Sequence, residues 1–229
     1  MTFLKRLFFA ALVSLSVTIS NYAIADDQQL MNEVLVDLKK DNPFLKLWFK
    51  EFPSAEQKFR DVMLQEIAKG NSDTTSLMRV GADLGMQMGQ QDLPAIFVKL
   101  NDEGLNDILN ALSDLMVEAG KSDQSICRML IMGNTRPYMD WLMSNPAYII
   151  QVNEAMNKVA DNYEKDREIP DVSLATKALN KMNKKDKKII MSMQNIAAVN
   201  CDSLADLYKL MGRNPEFARA NFAAAIPPQ

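Results

Sequence analysis

The sequence predicts an all-α protein, an irregular multi-helix bundle of about twelve short helices held by one disulfide. Three observations predict it. Apolar residues recur at helical spacing along most of the chain. No stretch keeps a period-two alternation between turn dipeptides, so strands are not expected. Proline falls where helices begin, and only 8 Gly and 9 Pro in 229 residues are too few for a turn-dense all-β design.

The clearest helix runs through Leu105, Ile108, Leu109, Leu112, Leu115 and Met116, one apolar stripe followed by Gly120 as a C-terminal cap. A shorter stripe, Leu30, Val34, Leu35 and Leu38, lies nearer the N-terminus. Asn42-Pro43, Asn145-Pro146 and Asn214-Pro215 each set an N-cap before Pro at the first helical position, where the missing N–H costs nothing. Ser54 with Gln57 has capping-box spacing, and Asp73, Asp92, Asp123 and Ser203 are further cap positions. The expected helices are 27–40, 43–51, 54–69, 73–90, 93–100, 103–119, 123–133, 136–143, 146–165, 171–183, 186–199, 203–212 and one from 215.

The first 25 residues read as a cleaved signal peptide. Lys5 and Arg6 precede an apolar run from Leu7 to Ile19, and Ala23-Ile24-Ala25 is a cleavage site. The run is shorter than the roughly 20 residues of a membrane span, and no later run approaches that length, so no anchor is expected after cleavage. Cleavage leaves 204 residues and, by removing two cations and no acid, takes the net charge from −3 to −5. An acidic total gives no pull towards nucleic acid. The expected location is a bacterial periplasm or the cell exterior, and no Asn-x-Ser/Thr sequon argues for a glycosylated route. Cys127 and Cys201, the only cysteines, are expected to pair in such a compartment. The acidic stretch 161–171 is the candidate hinge between an N-terminal helical region, 26–168, and a C-terminal one, 169–229, packed on it; one domain over 26–229 is the alternative. Residues 142–148 and 210–217 form a weak internal echo around their Asn-Pro pairs, read as shared helix-break chemistry.

Four features could carry function. Gly81, Gly85 and Gly89 recur every four residues beside Leu84 and Met88. Each glycine costs about 1 kcal/mol in a helix interior, so close packing must repay it, either in an internal helix crossing or in a strip for a partner helix. Phe44, Trp48, Phe49 and Phe52 form a broad aromatic face, read as core first and as a surface for a peptide or lipid second. Methionine pairs such as Met129/Met132 and Met139/Met143 share helix faces, whereas Met86/Met88 and Met191/Met193 do not; core filling is expected rather than copper. Lys181, Lys184, Lys185, Lys187 and Lys188 form a basic patch with a helix break near 183–186, either a solvated turn or a contact for an anionic partner.

Catalytic chemistry is sparse. With no His, the chain builds neither a Ser–His or Cys–His pair nor a His-ligated metal site. No metal or cofactor is expected. Gly81-Ala82-Asp83-Leu84-Gly85-Met86-Gln87-Met88 resembles the Gly-Leu-Met-Gln region of lytic transglycosylases. The residue order differs, however, and Ile67 follows the nearest upstream acid, Glu66, where that family has Ser, so the chain is not assigned to it. The expected role is that of an exported, non-enzymatic interaction protein of chaperone, adaptor or inhibitor type. A carrier of a lipid or apolar small molecule is the alternative, and a carboxylate-dependent glycan hydrolase the third.

Overall fold

The computed structural model describes residues 27–71 and 74–226. The segment read as a signal peptide and the expected Asp73 cap lie outside them. The described residues form helices α1 (Asp27–Asp41), α2 (Pro43–Glu51), α3 (Pro53–Ala68), α4 (Thr74–Phe97), α5 (Asp102–Ser122), α6 (Ser125–Ile131), α7 (Arg136–Met143), α8 (Pro146–Asp161), α9 (Ser173–Lys181), α10 (Lys184–Ser192), α11 (Cys201–Arg213) and α12 (Pro215–Ala225), with a 3₁₀ turn at Ile196–Ala198. The all-α expectation holds, and so does the cysteine pairing: Cys127 and Cys201 are bonded, with Cα atoms 5.0 Å apart.

Helix α5 is the centre. Its predicted stripe is buried from Leu105 to Met116, with Ala119 beyond it, facing α11 on one side and α8 on the other. The α5–α11 pair is the most extensive helix contact. Leu204, Leu207, Tyr208 and Met211 of α11 close it, and Ser113 Oγ donates to Ala205 O at 2.9 Å inside it. Each large side chain so buried contributes roughly 1.5–3 kcal/mol. Gly120 lies inside α5 rather than beyond its end. A Cβ there would meet Cys201 Cβ at 2.8 Å, so the glycine makes room for the cross-link.

The N-terminal helices pack in a second layer on α4 and α8. Phe44, Trp48 and Phe49 of α2 are buried there, and Phe49 meets the ring of Phe59 with centroids 5.9 Å apart. At the other end α12 packs on α4 through an edge-to-face contact of Phe97 and Phe222, centroids 5.4 Å apart. One continuous apolar core runs from Met31 to Phe222 and joins the N- and C-terminal regions. The segment 162–172 is stitched to it: Asn101 N donates to Asn162 O at 3.0 Å, Glu164 N to Lys99 O at 3.0 Å, and Tyr163 Oη to Glu51 Oε2 at 3.0 Å.

Several helix limits differ from expectation, each for a local reason. The helices expected at 73–90 and 93–100 are one, α4, running through Pro94. An interior Pro costs about 3 kcal/mol, but Leu93, Ile96 and Phe97 beside it are wholly buried and offset that cost. Asp92 therefore caps nothing; its carboxylate accepts the Trp48 indole N–H at 2.8 Å. The expected helix 186–199 breaks because Met193 and Val199 are both buried. On an unbroken helix they would point about 120° apart. Ser203 is not the cap of α11 but its partner: Asn200 accepts from Ser203 N while Ser203 Oγ accepts from Asn200 N, a reciprocal capping box. Helix α3 starts at Pro53 without a side-chain cap, so Ser54 and Gln57 form no capping box there.

All three Asn-Pro pairs start helices with Pro in the first turn, yet only Asn42 caps with its side chain, accepting from Leu45 N at 2.8 Å. Asn145 and Asn214 turn their amides back instead, donating to Trp141 O at 2.7 Å and Leu210 O at 2.8 Å. Each ties the new helix to the last turn of the old one, which is the shared device behind the sequence echo.

Candidate functional site

A cleft of about 850 Å³ opens where segment 162–172, α9 and the α11–α12 junction meet. Its volume lies in the range of ligand sites. Apolar surface comes from Pro170, Leu174, Ala178, Met182, Pro215 and Phe217. Around it stand Arg167, Lys177, Lys181, Arg213 and Arg219, with Asp102, Glu168 and Glu216 as the acids.

The cations differ in their commitments. Arg219 is buried; its Nε and Nη2 donate to Leu100 O at 3.2 and 2.9 Å, and Nη2 also pairs with Asp102. It staples α12 to the turn between α4 and α5. Arg167 pairs with Glu164 at 2.7 Å, and the exposed Arg213 lies 3.7 Å from Asp186 on α10. Asp171 lies at the mouth of α9, where the Ser173 N–H and hydroxyl, and then the Lys177 charge, hold its carboxyl below the ordinary Asp range. Lys181, at the end of α9, is exposed and takes part in no ion pair among the described residues.

The walls follow from sequence. Helices α9 and α10 rest on the core through the half-buried Ala178, Leu179, Ile189 and Ile190 and through the buried Met182 and Met193 at their ends. The break between them is made by Asn183, whose side chain accepts from Asp186 N at 2.9 Å. That break leaves Lys181, Lys184, Lys185 and Lys188 exposed, while Lys187 Nζ reaches back to Asn180 O at 3.0 Å. Of this patch only Lys181 lines the cleft.

The other marked residues are placed differently. Gly81, Leu84, Gly85, Met88 and Gly89 are all buried, so the glycine strip faces the interior, where α3 packs on α4 and a Cβ added at Gly81 would lie 3.8 Å from the Phe59 ring. It presents no open strip to a partner helix. Phe44, Trp48 and Phe49 are core, and Phe52 packs against it. Phe49 alone of these also lines a groove of about 550 Å³, with Lys39, Lys40, Lys46 and Lys50. At least nine methionines, Met63, Met116 and Met211 among them, are buried. Among the described residues no three His, Cys, Asp or Glu side chains are grouped closely enough to hold a metal ion, and no helix is long and apolar enough to cross a membrane.

Glu66 is poorly suited to acid catalysis. Hydrogen bonds from Lys69 at 2.6 Å and Asn71 at 2.8 Å hold its carboxyl below the ordinary Glu range, the opposite of what a general acid needs. Arg167, Arg213 and Arg219 were not marked by the sequence reading. One signal for Arg219 was available: a lone cation between Phe217-Ala218 and Ala220-Asn221-Phe222, all on a small, apolar helix. Comparison with known protein families, with characterised proteins and with solved structures finds no match to this chain.

Proposed function

We propose that this is an exported, non-enzymatic interaction protein that holds an acidic partner protein on the face formed by α9 and α10. One observation carries this reading. A chain of net charge −3 concentrates Lys177, Lys181, Lys184, Lys185, Lys187 and Lys188 on two helices with Asp186 as the one acid among them. Opposite charge on a partner would steer encounter and set orientation. Of these, Lys177, Lys181, Lys184, Lys185 and Lys188 stand exposed and can serve a contact. The features behind the carrier reading, the Met and Phe clusters, are largely occupied in packing the core.

The test is purification from the cells that make the protein, followed by native mass spectrometry. An acidic polypeptide should co-purify, leave as salt is raised, and be lost from a Lys184→Glu/Lys185→Glu/Lys188→Glu variant that keeps its helical circular dichroism. A retained lipid instead, or a polypeptide indifferent to both salt and the variant, would overturn the proposal. The salt effect is expected because exposed charges are screened beyond about 8 Å at physiological ionic strength.

A further inference from the structure

We infer that the outer face of α1, with the groove between it and α2, is a self-complementary surface on which two copies of this chain pair across a twofold axis. The surface is separate from α9 and α10, and the inference goes beyond the reading of those helices.

The surface is ordered by charge. Asn32, Glu33, Val36 and Asp37 line a hollow of about 310 Å³ on α1. Val36 also belongs to the adjoining groove of about 550 Å³, whose other walls carry Lys39, Lys40, Lys46, Phe49, Lys50 and Glu56. Glu33, Val36, Asp37 and Lys40 share one face of α1 by their helical spacing. Val36, 63% exposed, is thus the apolar point between an acidic half and a basic half. Lys39 and Glu56 neutralise each other, Nζ to Oε1 at 2.8 Å. Lys40, Lys46 and Lys50 stand exposed and, like the exposed Asp37, take part in no ion pair among the described residues. Glu33 is exposed as well.

The order of charge selects the partner. A uniformly acidic partner would meet Glu33 and Asp37, and a uniformly basic one Lys40, Lys46 and Lys50; in either case one half repels it. The complementary surface carries acid and base in the reverse order about an apolar point. A second copy turned about a twofold axis through Val36 supplies that order. Glu33 and Asp37 of each copy then face the lysine half of the other, as an isologous contact requires. Valine meets valine at the axis, and both leave water. A strip this short fits a weak, concentration-dependent dimer, not an obligate one.

Sedimentation velocity from micromolar to millimolar protein, at low and high salt, tests the pairing. Wild type should pass from monomer to dimer, and salt should weaken the dimer. Lys40→Glu/Lys46→Glu/Lys50→Glu reverses the basic half, and Glu33→Lys/Asp37→Lys reverses the acidic half. All five positions are exposed, so both variants should keep the helical circular dichroism. Each alone should raise the dimer Kd about tenfold or more. An equimolar mixture of the two should form a heterodimer, and the chain carrying all five reversals should dimerise again. Val36→Asp should also weaken the wild-type dimer about tenfold, a single exposed change that keeps the result readable if a charge-reversed chain misfolds. Lys184→Glu/Lys185→Glu/Lys188→Glu should leave the dimer unchanged. A wild type that stays monomeric throughout, a dimer that any of the α1 and α2 variants keeps at wild-type strength, or a mixture of folded variants that stays monomeric would overturn the inference. Loss of the dimer from the α10 variant would place the contact elsewhere and overturn it too.

Discussion

Removing the disulfide is the perturbation whose size is best defined by the structure. The bond joins Cys127 of α6 to Cys201, the first residue of α11, across 74 residues, and both cysteines are fully buried. A closed loop of that length removes chain entropy worth about 4 kcal/mol from the unfolded ensemble. Cys127→Ala/Cys201→Ala also deletes two packed sulfurs, adding about 1 kcal/mol of lost contact. The expected total is about 5 kcal/mol, a third or more of the stability of an ordinary domain. At about 2–4 °C per kcal/mol for a chain of this size, the midpoint should fall by about 10–20 °C. The assay is urea unfolding followed by far-ultraviolet circular dichroism, with oxidised wild type as reference. The denaturant slope should rise, because an uncrosslinked chain exposes more surface when it unfolds. A loss below about 1 kcal/mol with an unchanged slope would refute the reasoning. It would mean that the unfolded chain already keeps these two positions close, and that the α5–α11 contact does not depend on the cross-link.

Other predictions concern single positions. Gly85→Leu should destabilise by about 1–3 kcal/mol, because the position is buried; thermal melting that matches wild type would show that the strip is not needed for packing. Asp92→Ala should cost about 1–3 kcal/mol by leaving the buried Trp48 indole N–H unpaired, whereas Asp92→Asn keeps an acceptor; Trp48 emission in a Trp141→Phe background reads the change. Burial raises the Asp92 carboxyl above the ordinary Asp value of 3.8, the Trp48 hydrogen bond and the Lys58 charge opposing it. The folded protein therefore holds that proton more tightly than the unfolded chain. Its contribution is full below 3.8 and is lost as pH rises through the folded value, so Asp92→Asn should flatten the stability curve there. Arg219→Met should cost about 1–3 kcal/mol, for the stranded Leu100 carbonyl, rather than the larger penalty of a buried ion pair, because Asp102 remains 69% exposed and solvated. Equilibrium unfolding distinguishes the two magnitudes.

Much of the fold was legible because helices announce themselves locally. The stripe from Leu105 to Met116 and the Asn-Pro starts needed only spacing and the donor chemistry of Pro. The break between α9 and α10 was legible too, since an unbroken helix would have turned Lys185 onto the apolar face. What misled was each place where a distant contact outweighed a local preference. Pro94 sits inside α4 because three neighbours are buried, Asp92 binds Trp48 rather than a helix end, and Gly120 yields space to Cys201 rather than ending α5. The basic patch was legible in part: its lysines cluster within 181–188. Arg167, Arg213 and Arg219 were not, because they reach the same cleft from three different segments.

The amino-acid sequence by itself determined the helical class, the exclusion of histidine chemistry, the pairing of Cys127 with Cys201, and the concentration of lysine in 177–188. Each depends on composition or on neighbours a few residues apart. Only the tertiary structure decided that the glycine strip and the aromatic face are interior, and that Lys177 and Lys181 border a cleft. Burial is a property of what packs against a surface, and a helical stripe looks the same in sequence whether its partner is another helix of the chain, a second protein or water.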